Sequence, residues 1–222
     1  MATSGSRDFT LDVADIIEEA YERCGLELRT GYDSETARRS LNLMFSEWAN
    51  RGVNLWTVKL GTQALVSGTA TYSLSSTIAD LLEVVVRRSG TDFEVERISR
   101  GEYQNQPNKA TTGRPSSFYF NRQVTPEINL WPTPENSTDV LRYYYVQRIE
   151  DADSLVDDVD APFRFLPCMA SGLAYYLSVK RAPDRVQLLK TIYEEEFQRA
   201  ADEDEDRVPL QLTPSLRYLR MR

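Results

Sequence analysis

Histidine is wholly absent from this 222-residue chain. Without an imidazole there is no Ser-His-Asp or Cys-His nucleophile system and no histidine general base. The usual zinc and non-haem iron ligand sets go with it. Carboxylate or lysine chemistry survives that exclusion. Cysteine is nearly as scarce, with Cys24 and Cys168 the two present. Cys24 falls in an apolar helical stripe and Cys168 near the start of another helix, so both are expected as buried, reduced thiols. Two cysteines do not make up a structural zinc set. No apolar run approaches the roughly 20 residues that span a bilayer, so no membrane partner is expected. Residues 1–10 are small and polar and lack the basic and apolar regions of a signal peptide. A chain made and kept in a cytosol is the expectation. Gly113-Arg114-Pro115 is not followed by a Gly-rich run with Lys and Ser/Thr. It reads as a turn that sets strand entry, not a phosphate loop.

What is present suits a folded chain. Hydrophobic residues at 41% and charged residues at 27% fit a globule with a core of its own. The net charge of −8 argues against a protein that coats nucleic acid, because counterion release needs clustered Lys and Arg.

Apolar residues at Val13, Ile16, Ile17, Ala20, Tyr21 and Cys24 recur at helical spacing and predict a helix over 11–24, stopped by Gly25. Asp12, Asp15, Glu18 and Glu19 load its N-terminal half with negative charge, which suits the helix dipole. A second helix is predicted over 34–51, capped by Asp33, with Ala37, Leu41, Met44, Phe45 and Trp48 on one face. A short link between two such helices implies an antiparallel hairpin.

From Trp56 the period changes to two. Strands are predicted over 56–66, 69–74, 82–88, 93–98, 116–122, 127–131 and 140–148, parted by turn residues at Ser67-Gly68, Ser89-Gly90 and Thr125-Pro126. Ser99 and Glu102 form a capping box for a short helical turn. Pro132 and Pro134 cannot donate to a ladder, so the strand ending at Trp131 is at an edge or at its exit. Tyr143, Tyr144 and Tyr145 alternate faces, so at least one points outward. This block reads as a small antiparallel sandwich or barrel.

Helical periodicity returns near Pro162, with Leu166, Met169, Ala170, Leu173, Ala174, Tyr176 and Leu177, and again near Pro183, with Val186, Leu189, Ile192, Tyr193 and Phe197. The fold class expected is α+β: a helical bundle from N- and C-terminal helices, an inserted antiparallel β domain and an extended C-terminal arm. The divisions are 1–55 and 160–203 for the bundle halves, 56–150 for the β domain and 204–222 for the arm. Residues 207–222 hold Arg207, Arg217, Arg220 and Arg222 and no acid. Their closing run, Arg217, Tyr218, Leu219, Arg220, Met221 and Arg222, suits insertion into a partner's groove, with Tyr218 and Leu219 as anchors.

Glu150, Asp151, Asp153, Asp157, Asp158 and Asp160 form the densest carboxylate cluster outside the tail. The segment lacks the residue order of an EF-hand and reads as a solvated connector between strand and helix, with no metal and no cofactor.

Residues 15–25, with Leu41-Asn42-Leu43-Met44-Phe45-Ser46-Glu47-Trp48 ahead of Asn54-Leu55-Trp56, resemble the opening helices of phage head-to-tail adaptors. Gly113-Arg114-Pro115-Ser116-Ser117-Phe118-Tyr119-Phe120, followed by Ile128-Asn129-Leu130-Trp131-Pro132-Thr133-Pro134, is similar to a recurrent β-hairpin of such proteins. The resemblance covers roughly residues 10–200 and is to the podophage adaptors, the tail-tubular-A-like proteins. It implies a structural virion protein and not an enzyme, assembled in the host cytoplasm. It implies a homo-oligomeric ring, usually of twelve copies, between the portal protein and a tail nozzle or tube protein. The arm, Arg217 to Arg222, is expected to bind the portal. An acidic balance suits a channel through which DNA slides without specific binding, and Asp151, Asp153, Asp157, Asp158 and Asp160 are the acids expected to face the lumen. Two rivals remain: a tail nozzle or tube component, and a carboxylate-based hydrolase of cell-wall glycan.

Overall fold

A computed structural model describes residues 5, 9, 11–52 and 55–204. Helix α1 spans Val13–Cys24 and α2 spans Gly31–Arg51. The expected alternation of strands follows: β1 (Val58–Ala64), β2 (Thr71–Ser73), β3 (Ile78–Arg88), β4 (Thr91–Glu94), β5 (Glu96–Arg97), the short helix α3 (Arg100–Gln104), β6 (Thr112–Gly113), β7 (Ser117–Asn121), β8 (Glu127–Trp131), β9 (Thr133–Pro134) and β10 (Val140–Gln147). Helices α4 (Leu166–Arg181) and α5 (Val186–Glu203) complete the described part, each entered through a 3₁₀ turn. The chain is α+β, as its periodicity indicates.

The helices pack because their apolar stripes meet. Every stripe residue named for α1 is buried, and the core adds Leu41, Met44, Phe45 and Trp48 from α2, Leu173 and Leu177 from α4, and Leu189, Tyr193 and Phe197 from α5. Arg51 lies over this core, with its guanidinium 4.5 Å from the Phe197 ring centre and paired to Glu47 and Glu194 at 2.6 and 2.8 Å. Those bonds, Glu194 first, hold the Arg51 pKa above its ordinary value.

The α2 start differs from expectation. Thr30, not Asp33, is the cap, its hydroxyl accepting from the Asp33 N–H at 3.3 Å. Asp33 lies in the first turn of the helix and pairs with Arg181 of α4 at 2.6 Å. A partner on a distant helix competes with the local cap, and the charge-assisted bond prevails.

The β block forms two four-stranded sheets, in the orders β1-β10-β3-β4 and β2-β8-β7-β5, and a two-stranded ribbon of β6 and β9. One apolar cluster joins the large sheets: Leu81, Val84, Val86 and Leu141 from the first meet Phe118, Phe120, Ile128 and Leu130 from the second. Most pairs are antiparallel, but β5 with β7 and β6 with β9 run parallel, which local alternation does not reveal. Residues 55–57 form a 3₁₀ turn where a strand was expected from 56, and the expected strand over 93–98 is divided into β4 and β5. Ser89 and Gly90, both at positive φ, make the two-residue hairpin loop between β3 and β4. Strand β8 lies inside its sheet and ends at the cis Trp131–Pro132 peptide, so the prolines mark its exit and not an edge.

Candidate functional site

The acidic segment 150–160 links β10 to the turn before α4, and its backbone is anchored on the bundle. The N–H groups of Val13 and Ala14, left without helical acceptors in the first turn of α1, donate to the carbonyls of Asp157 and Leu155 at 3.1 and 2.9 Å. Asn42 of α2 clamps Ala152 from both sides: Ala152 N–H donates to its Oδ1 at 2.8 Å, and its Nδ2 donates to the Ala152 carbonyl at 3.3 Å. Arg38 donates to the carbonyl of Asp153, and the Trp56 indole to that of Asp160 at 3.1 Å. The carbonyls therefore turn inward onto α1, α2 and Trp56.

The carboxylates divide into two sets. Asp157 accepts from the Ser154 N–H at 2.7 Å and Asp160 from the Glu150 N–H at 3.3 Å, so these two shape the loop itself. Asp151, Asp153 and Asp158 are exposed, and none makes an ion pair with a described residue. Beneath the loop a cavity of about 100 Å³ is lined by Phe45, Ala152 and Val159 as well as by the acids. Among the described residues, no group of three or more His, Cys, Asp or Glu is placed to hold a metal ion. The segment is thus an acidic ledge joining strand to helix, its backbone tied to α1, α2 and Trp56.

A second feature is an open groove of about 870 Å³ between α1 and α4. Leu11, Phe163, Leu166 and Ala170 are among its apolar lining, and Asp15, Glu18, Glu19 and Glu22 rise from α1 along it. Sequence reasoning assigned the α1 acids to the helix dipole and missed the groove. The missed signal is that Glu22 extends the acid row to the last turn, where the dipole disfavours negative charge.

Cys24 donates to the Ala174 carbonyl and Cys168 to that of Phe165, both at 3.1 Å, and both are free and buried. Burial pushes Cys24 upward and Cys168 to about 12, with nearby Glu196 adding to the latter. Of the three tyrosines on β10, Tyr143 is buried and Tyr144 exposed. Tyr144 sits opposite Leu60 at a bulge where β3 slips register, and exposed Leu60 and Leu82 flank it. The Trp131 ring is half-buried, and its N–H donates to the Asn108 carbonyl at 3.1 Å. The arm residues Arg217, Tyr218, Leu219, Arg220, Met221 and Arg222 lie outside the described residues. Among the described helices, none is long and apolar enough to cross a membrane.

A helical bundle interrupted by two packed sheets, carrying an acidic ledge, makes up an α+β chain. The family model of the SU10 adaptor protein matches residues 11–215. The chain belongs to that family of phage head-tail adaptors. No curated protein matches the sequence.

Proposed function

We propose that this chain is the structural link between capsid and tail: a ring, with twelve copies the expected number, seated under the portal and lining part of the channel for genome retention and ejection. The match along residues 11–215 carries this reading. The bundle, from 1–55 and 160–203, forms the ring body, where each copy buries a patch of its neighbour. The β insertion, 56–150, faces the outer surface or the next tail component, a nozzle or tube protein. The exposed Leu60, Leu82 and Tyr144, with Val66 and Val124, are the large apolar residues it offers there among those described.

The acids Asp151, Asp153, Asp157, Asp158 and Asp160 face the lumen in this reading, with Asp151, Asp153 and Asp158 making no ion pair with a described residue. Asp157 and Asp160 also hold the ledge in shape. Like charge keeps passing DNA from adhering. The arm, 204–222, reaches the portal through Arg217, Tyr218, Leu219, Arg220, Met221 and Arg222. The reading is of an assembly protein and not an enzyme.

Deletion of residues 207–222 tests the arm. The shortened chain should keep its far-ultraviolet dichroism and a cooperative thermal transition yet lose capture by immobilised portal. Undiminished capture contradicts the assignment.

A further inference from the structure

We propose that the groove between α1 and α4 is the docking site for the chain's own C-terminal segment, residues 207–222. Its chemistry asks for a basic, partly apolar strand. The floor is apolar, with Phe163 62% exposed and Leu166 and Ala170 beneath. The rim is acidic and largely unpartnered. Glu19 pairs with Arg23 at 2.8 Å, but Asp15, Glu18 and Glu22 have no ion pair among the described residues. These three lie three, four and seven residues apart on α1, so they share one face and repel one another. Cations laid along that face relieve the repulsion.

The C-terminal segment supplies what the groove asks for. It holds Arg207, Arg217, Arg220 and Arg222, no acid, and the apolar Leu216, Tyr218, Leu219 and Met221. Residues 1–8 are a poorer match, with Arg7 offset by Asp8 and no aromatic. Position agrees with chemistry. The described chain ends at Asp204, which pairs with Arg164, the residue after Phe163 of the groove. The described chain thus ends paired to the residue next to one that lines the groove. The eighteen residues after Asp204 span up to about 60 Å when extended, against about 18 Å for the length of α1.

This docking does not depend on the portal reading. Where both hold, the segment rests on its own bundle until a partner displaces it.

The test needs the full chain carrying Arg220→Lys, which keeps the charge and supplies an amine. A zero-length carbodiimide is added at low protein concentration and the products are mapped by mass spectrometry. Lys190, one turn before Glu194, reports that coupling works. The expected result is an amide between position 220 and Asp15, Glu18 or Glu22 in chains of monomer mass, falling several-fold in 1 M salt. Coupling of position 220 only to other acids, only within dimers, or not at all while Lys190 reacts, overturns the proposal. Coupling to the rim that appears only after residues 1–8 are deleted overturns it too and assigns the groove to the N-terminal segment.

Discussion

The Trp48 indole N–H donates to the Tyr193 hydroxyl at 2.8 Å, and that hydroxyl donates in turn to Glu47 at 3.0 Å. The chain of bonds ties α2 to α5 through the middle of the bundle, where Trp48 is fully buried. Burial holds the Tyr193 hydroxyl above its ordinary pKa, so it stays a donor. Tyr193→Phe keeps the ring, its stack on Tyr175 and its edge contact with Phe197, but orphans the Trp48 N–H. A loss of about 1–3 kcal/mol in urea unfolding is expected. A variant as stable as the native chain contradicts the network.

Gly172 marks where α4 meets two helices at once. A Cβ there would stand 2.5 Å from the Met44 sulfur and 2.7 Å from a Tyr193 ring carbon. Gly172→Ala improves helix propensity yet overpacks the site, and the net expectation is a destabilisation of about 1–3 kcal/mol. Unchanged or raised stability in thermal unfolding would show that α2 and α5 have room to retreat.

The Asp33–Arg181 bond lowers the Asp33 pKa below its ordinary value. A depressed carboxylate pKa contributes stability above the unfolded-state value, about 3.9, and that contribution is lost as pH falls toward the folded-state value. The gap in thermal midpoint between the native chain and Asp33→Asn should therefore be full at pH 6 and narrow below about pH 4. A gap that stays constant to pH 2.5 contradicts the pairing.

How much of this was legible in the sequence varies with the range of the interaction. Helix α1 was readable because a 3.6-residue period and a terminal glycine are local signals; it starts at Val13 and not at Leu11 because extended Asp12 caps it, its carboxylate accepting from the Asp15 N–H at 2.8 Å. Asp33 was misassigned because Thr30 and Asp33 can both cap, and only Arg181, distant in sequence, decides between them. The place of β10 between β1 and β3 was hidden for the same reason, since register between distant strands leaves no local trace. The acidic segment was visible as charge, but its anchoring was not, because it is made by backbone carbonyls that every residue has. The groove on α1 needed α4 and Phe163 beside it before its acid row had a meaning.

The acidic ledge separates shape from charge. Asp151→Lys, Asp153→Lys and Asp158→Lys together alter exposed groups without ion pairs, so each should move stability by no more than about 0.5 kcal/mol. Asn42→Ala removes the clamp on Ala152 and should cost about 1 kcal/mol or more. In the proposed role the triple reversal also changes DNA retention or ejection in assembled particles. Unaltered retention and ejection would sink the lumen assignment and leave the ledge a structural device.

Copy number tests the central claim most directly. Quantitative mass spectrometry of purified virions gives the amount of this chain against the portal protein. An adaptor ring docked on the portal predicts near-equal stoichiometry. Absence from the particle, or a trace far below the portal, contradicts it.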